Sequence, residues 1–174
     1  MEDLRYPIGR FDLRQPLPAG GHAALIASLS TTPSRMRAVV DGLTQSQIDT
    51  PYRDGGWTVR QLVHHVPDSH LNAYVRMKWG LTEEAPLIKT YDEKAWSELP
   101  DARTAPIEIS LALLAAVHTR WDIVLNSMTA KEFARTIQHP DWGEIELTTL
   151  LQLYEWHGRH HVAHIERLRE RSGW

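Results

Sequence analysis

Four stretches of the chain carry apolar residues at helical spacing, separated by connections rich in proline, glycine and polar residues. From about His22 to Leu43 the apolar positions are Leu25, Ile26, Leu29, Met36, Val39, Val40 and Leu43, the period of an amphipathic helix. Pro33 should kink or split that helix. Before it, Pro7, Gly9, Pro16, Pro18, Gly20 and Gly21 mark residues 1–21 as an extended arm. After it, Asp49-Thr50-Pro51-Tyr52-Arg53-Asp54-Gly55-Gly56-Trp57 reads as a loop. Thr58-Val59-Arg60-Gln61 has the form of a capping box and opens a second helix to about Gly80, with Pro67 in its middle. Residues 82–104 hold Pro86 and Pro100 and few periodic apolar positions, which in a bundle means a crossover or a flap. A third helix runs from about Ile107 to Met128 with Leu111, Leu114, Val117, Trp121, Val124 and Leu125 on one side. Between Arg135 and Leu147 apolar and polar residues partly alternate around Pro140-Asp141-Trp142-Gly143, predicting a short β-hairpin. The last helix begins at Thr148 or Thr149, with Thr149-Leu150-Leu151-Gln152 as a second capping box. It ends near Gly173, where Arg167, Arg169 and Arg171 suit the helix dipole. The expected architecture is an all-α four-helix bundle, one domain over residues 1–174, with a long crossover connection and a small hairpin before the last helix.

Composition narrows the chemistry. At 174 residues, 42% apolar and 24% charged, the chain is long enough to bury a core. A formal net charge of -3 gives no electrostatic case for nucleic acid or an anionic membrane. There is no cysteine, so disulfides, thiolate metal sites and a cysteine nucleophile are excluded. No segment approaches the ~18 apolar residues of a membrane span, and Met1-Glu2-Asp3-Leu4-Arg5-Tyr6-Pro7 lacks the apolar stretch of a signal peptide. A cytoplasmic location is the expectation.

Ten histidines and seven tryptophans change the picture, because histidines matter where they converge. At ~100° per residue, Leu150, Leu153, Tyr154, His157, His161, His164 and Leu168 share the stripe that the last helix should bury. His157 and His161 stand one turn apart and can share a metal; His160 lies at the stripe's edge. Several inward imidazoles without partners would be costly, and either a metal or a web of buried hydrogen bonds would remove that cost. On the second helix His64, His65 and His70 are candidates for a third ligand. Gln61, His65, Asp68, Ser69, Asn72 and Arg76 form one polar stripe there. It is either a solvated face or the wall of a polar cavity, with His65 as ligand and Asp68 or a neighbour as its acceptor. The helical wheel does not choose between His64 and His65. Three neutral nitrogen ligands with open positions suit Zn²⁺ or Ni²⁺. No nucleophile elbow, phosphate loop or dinucleotide fingerprint occurs. Gly158, not Glu, follows His157, so the zinc-protease signature is absent too. The tryptophans read as core and interface residues. Arg53-Asp54 is either a substrate-facing pair or a surface pair that locks its loop, worth ~0–1 kcal/mol.

These blocks resemble the DinB/YfiT-like metalloenzymes over nearly the whole chain. The resemblance runs through Tyr6-Pro7-Ile8-Gly9, Thr50 to Gln61, His64-His65, Asp68-Ser69-His70 and Leu81-Thr82-Glu83-Glu84. It continues through Tyr91-Asp92-Glu93-Lys94-Ala95-Trp96-Ser97-Glu98-Leu99, His139-Pro140-Asp141, Trp156-His157, His160-His161 and Ala163-His164-Ile165. It implies a four-helix bundle, homodimeric, binding one divalent ion per chain through His65, His157 and His161. Pro67 departs from the family pattern and should kink the second helix just after His65. The implied activity is that of a metal-dependent hydrolase acting on a small molecule with an activated water, with Asp68 and His164 as candidate general bases. Two alternatives stand beside it: a thiol S-transferase or isomerase that takes a low-molecular-weight thiol of the bacillithiol kind, and a non-catalytic metal-binding stress protein.

Overall fold

A computed structural model describes residues 3–174, and its main helices follow the hydrophobic period closely. Met1 and Glu2 of the expected arm lie outside the described residues. The first helical stretch is two helices, α1 (Gly21–Ser30) and α2 (Thr32–Val40). Pro33 sits in the first turn of α2, where a missing backbone N–H costs nothing. It starts a helix instead of bending one. A one-turn α3 (Gln45–Ile48) precedes α4 (Val59–Thr82), whose Thr58–Gln61 capping box forms in full. The helix α4 continues unbroken through Pro67. The backbone bond that Pro67 cannot make to Val63 belongs to the turn that carries His64 and His65. The crossover contains two short helices, α5 (Glu93–Ser97) and α6 (Pro100–Thr104), and leads into α7 (Ile107–Ser127). A turn of helix, α8 (Ala130–Phe133), comes before the hairpin of β1 (Thr136–His139) and β2 (Gly143–Glu146). The strands pair antiparallel, with Ile137 opposite Ile145.

The last helix, α9 (Leu147–Ser172), corrects one expectation. Its N-cap is Glu146 and no side chain caps it, so Thr149-Leu150-Leu151-Gln152 is not a capping box. The helix starts directly from β2, and Thr149 and Gln152 already lie inside it. Gln152 instead donates its amide to the carbonyls of Gln15 and Pro16 (3.3 and 3.2 Å), tying the N-terminal arm to α9. Complete boxes form at Thr44/Gln47 and Thr129/Glu132, which open α3 and α8.

The bundle of α1/α2, α4, α7 and α9 has two apolar halves. One gathers Leu29, Met77, Trp121, Leu125, Ile137, Leu147 and Leu151. The other gathers Met36, Leu62, Val66, Leu111, Leu114, Val162 and Ile165. Each long helix therefore passes from one half to the other, and at that crossing α4 carries His65 and His70, α7 carries His118, and α9 carries His157, His160 and His161. The histidines form a polar layer between two hydrocarbon regions. Gly158 lets this layer close: a Cβ there would come within 2.7 Å of the Thr32 hydroxyl, so only glycine admits α2 so near the histidine-bearing turn of α9.

The polar stripe of α4 is mostly buried, and the reading of it as a solvated face is thereby overturned. Gln61, His65, Ser69 and Arg76 are buried, and two of them pin the crossover. Gln61 donates to the Ser97 carbonyl at 2.9 Å, and Arg76 donates to the Tyr154 hydroxyl at 2.9 Å and the Lys89 carbonyl at 2.6 Å. Arg60, from the same helix, reaches the Asp49 carboxylate and the Ala105 carbonyl. Buried guanidinium and amide groups need such partners, and here they hold the long connection over the bundle.

Candidate metal centre

The side chains of His65, His157 and His161 meet in the polar layer. Nε2 of His157 lies 3.2 Å from Nε2 of His65 and 3.2 Å from Nε2 of His161. Nitrogen ligands about 2.0–2.1 Å from one ion at tetrahedral angles stand about 3.3 Å apart, so the spacing suits a shared ion. Without one, Nε2 of His157 faces two ring nitrogens at once, and its one proton or one lone pair can satisfy only one of them. The residues therefore fit a divalent cation.

Electrostatics point the same way. Burial alone pulls His65 down to about 4. For His157 and His161 burial acts first and the neighbouring imidazoles second, holding both well below 6.5. All three rings are neutral near pH 7, with lone pairs ready for a metal. Trp57 lies against two of the rings, its centroid 4.8 Å from His65 and 6.5 Å from His161.

His64, the neighbouring candidate on α4, has other partners. Its Nδ1 meets the Ser110 hydroxyl at 2.6 Å and its Nε2 the Ala105 carbonyl at 3.1 Å. Both nitrogens are spent on joining α4 to α7 and the crossover. His70, the other α4 candidate, faces His118 and the outer nitrogen of His157.

A second triad shares His161. His160, His161 and His164 also bring three ring nitrogens within 4.8 Å of one another. Burial, then the neighbouring histidines His164 and His65, holds His160 down to about 3; burial brings His164 to about 4. His164 donates Nε2–H to the Arg5 carbonyl at 3.2 Å. Among the described residues, the buried Nδ1 atoms of all three rings lack a partner.

A cavity of about 620 Å³ opens onto both triads. Its walls are aromatic, from Tyr6, Tyr52, Trp57 and Trp156, and Arg5, Arg53, Lys94, Glu93 and Glu98 bring charge. Arg53 thus faces the cavity while bonding the Tyr52 hydroxyl and the Asp54 carbonyl. Of the two candidate bases, His164 lines the cavity. Asp68 is half-buried and raised to about 6 by burial and the charge of Asp101, and it is not among the lining residues. Glu93 does line it, and desolvation followed by the charge of Asp92 raises its carboxyl. The periodicity gave no hint of Glu93, because it sits in the crossover; the matched block Tyr91 to Leu99 was the only signal. The tryptophans also divide: Trp121 is fully buried core, whereas Trp57 and Trp156 are cavity walls.

Known proteins resemble this chain over its whole length. The sequence pattern of the DinB superfamily matches residues 28–165. A protein of Bacillus cereus (strain AH820) and one of Bacillus anthracis (strain A0248) are each 47% identical over 174 residues, covering all of both chains. Both bear the provisional name of metal-dependent hydrolase. Among solved structures, YfiT from Bacillus subtilis superposes with a TM-score of 0.94 at 49% identity and 98% coverage of each chain. It is described, provisionally, as a metal-dependent hydrolase with an unusual four-helix bundle topology.

Proposed function

The chain belongs to the DinB superfamily, and from that premise we propose that it is a metal-dependent hydrolase holding one divalent ion through His65, His157 and His161. The observation that carries this is the pair of 3.2 Å contacts that bring three neutral Nε2 atoms around one point. Zn²⁺ or Ni²⁺ at that point would supply Lewis acidity, activating water and polarising a carbonyl or phosphoryl group.

The protein's own residues do the rest. The three imidazoles come from two helices whose packing is fixed above and below by hydrocarbon, so the ligand set is preorganised. Trp57 and Trp156 wall the cavity beside them and limit water. Glu93, exposed on the cavity wall with a carboxyl raised from its ordinary value, is the residue placed to take a proton from water and return it to a leaving group. Glu98 is less suited to that task, since Gln61 and Arg103 already hold its two oxygens. His164 is a weaker base, since burial holds it down to about 4 and its Nε2–H is given to Arg5.

Elemental analysis of tag-free protein tests the metal reading. Wild type should carry about one divalent ion per chain, and His65→Ala, His157→Ala and His161→Ala should each lose it. Retention of full occupancy by any of the three would sink the ligand assignment. A panel of esters and amides run beside thiol–electrophile pairs then tests the reaction. Conjugation of the thiol with no ester or amide turnover would replace hydrolysis by S-transfer.

A further inference from the structure

His157 has a second ring nitrogen, turned away from the other ligands, and it opens onto a line of buried imidazoles. Nδ1 of His157 lies 3.2 Å from Nε2 of His70, and Nδ1 of His70 lies 2.9 Å from Nε2 of His118. His70 is 0% exposed and His118 is 2% exposed. Trp121 and Tyr154 close around His70 edge-on, at 6.1 and 5.4 Å between ring centroids. The line crosses the bundle from α9 through α4 to α7. At its far end the Leu29 carbonyl of α1 is near enough to the His118 ring to favour an N–H there, although that nitrogen completes no full hydrogen bond among the described residues.

A neutral imidazole has one N–H and one lone pair, so each contact needs a donor on one ring and an acceptor on the next. The line could run in either direction until something fixes one end. A metal on Nε2 of His157 does so. Nδ1 of His157 must then carry the proton and donate to Nε2 of His70. His70 must in turn carry its proton on Nδ1 and donate to Nε2 of His118, whose remaining N–H is left facing Leu29.

We propose that His70 and His118 are positioning residues of the metal centre, a buried two-ring relay that locks His157 as its Nδ1–H tautomer and aims its Nε2 lone pair at the ion. The proposal rests on the three-histidine metal reading above. Metal-bound histidines commonly give their outer N–H to a carboxylate or a backbone carbonyl. Here a neutral ring fills that place, so orientation is fixed without adding a negative charge beside the ion. The three neutral ligands and neutral relay leave the ion's charge uncompensated by these five rings, which favours Lewis acidity. Among the described residues, His65 and His161 have no such line behind them. His157, at the midpoint of both 3.2 Å ligand contacts, is the ring whose pose decides whether the triad converges.

The test is side-chain ¹⁵N NMR on the zinc-loaded protein, together with zinc affinity from chelator competition. Wild type should show His157, His70 and His118 all as Nδ1–H tautomers with exchange-protected protons. His70→Leu should weaken zinc binding by about 10- to 100-fold, and His118→Phe by less. His70→Gln should restore part of the loss, because an amide can accept from His157 and donate to His118. Zinc binding with an Nε2–H tautomer at His70 or His118 would overturn the relay, as would wild-type affinity in His70→Leu. Should that variant fail to fold, the tautomers of the wild type decide alone. A wild type that takes up no zinc overturns the metal reading itself, an outcome distinct from zinc bound with the wrong tautomers.

Discussion

Two histidine triads share His161, and they differ in what surrounds them. In the first, His65, His157 and His161 bring Nε2 atoms to 3.2 Å contacts, and the outer nitrogen of His157 is held by His70. In the second, His160, His161 and His164 converge as well, yet their three buried Nδ1 atoms have no partner among the described residues, and the Nε2 of His164 is given to the N-terminal arm. Ring spacing does not separate them: centroids lie 4.4–5.2 Å apart in the first triad and 4.3–5.4 Å apart in the second. What separates them is the surrounding shell. Convergence follows almost automatically from i,i+4 spacing on one helix. A ligand from a second helix and a partner behind the ring do not, and those are what a specific ion needs.

Removing one ring from each triad should break this comparison most sharply. His157→Ala should lower zinc affinity by at least about 100-fold, since it deletes a ligand and not merely its support. His160→Ala should leave affinity within about threefold, a change below ~1 kcal/mol. Titration calorimetry on the two variants reads both numbers, and equal losses would mean that the triads act as one site.

The next effect is a pH dependence carried by both triads and by His118. The folded values of His65, His118 and His164, each about 4, and of His160, about 3, lie below the ordinary 6.5. The unfolded chain therefore takes up protons that the folded chain refuses, and stability falls as acid is added. It should be full above about pH 6.5 and decline steadily toward pH 4. His65 by itself is worth roughly 3 kcal/mol across that window. Urea melts of metal-free protein from pH 7.5 to 4.5 check the sign, and a flat profile would show that the rings are not buried as neutral groups. Zinc at 100 times its Kd should add about 2.7 kcal/mol at pH 7, in wild type and His160→Ala but not in His157→Ala.

How far the site was legible in the sequence follows from the same contrast. The i,i+4 pair His157/His161 lay open to inspection, because helical periodicity fixes which residues share a face. The bundle was legible for the same reason, down to the Thr58–Gln61 cap and the hairpin. That His64 has other partners was not readable from the wheel, since Ser110 and the Ala105 carbonyl reach it from distant positions. His118 was invisible as chemistry: on α7 it begins the run His118-Thr119-Arg120, which reads as part of a polar face, and only packing places it against His70. Glu93 was hidden in a connection without periodicity. The Thr149–Gln152 motif misled because a capping box needs a free helix start, and β2 runs straight into α9 there.

The smallest effect should come from the open side of the second triad, where His164 holds the arm. Its Nε2–H meets the Arg5 carbonyl at 3.2 Å, Tyr6 of the same arm packs 6.1 Å from His160, and Phe11 packs 5.9 Å from Trp156. His164→Phe keeps the ring's contact with Tyr52, 4.2 Å away, but removes that one hydrogen bond. A neutral bond of this kind is worth about 0.5–1.5 kcal/mol, and the Gln152 bonds to Gln15 and Pro16 would still hold the arm further along. Global stability should therefore drop by about 1 kcal/mol or less, with zinc affinity unchanged. Amide exchange should instead rise locally in residues 3–11, since the cavity wall made by Arg5 and Tyr6 is loosened. If zinc affinity fell as far as in His157→Ala, His164 would belong to the ion's coordination and the second triad would have to be redrawn as part of the first.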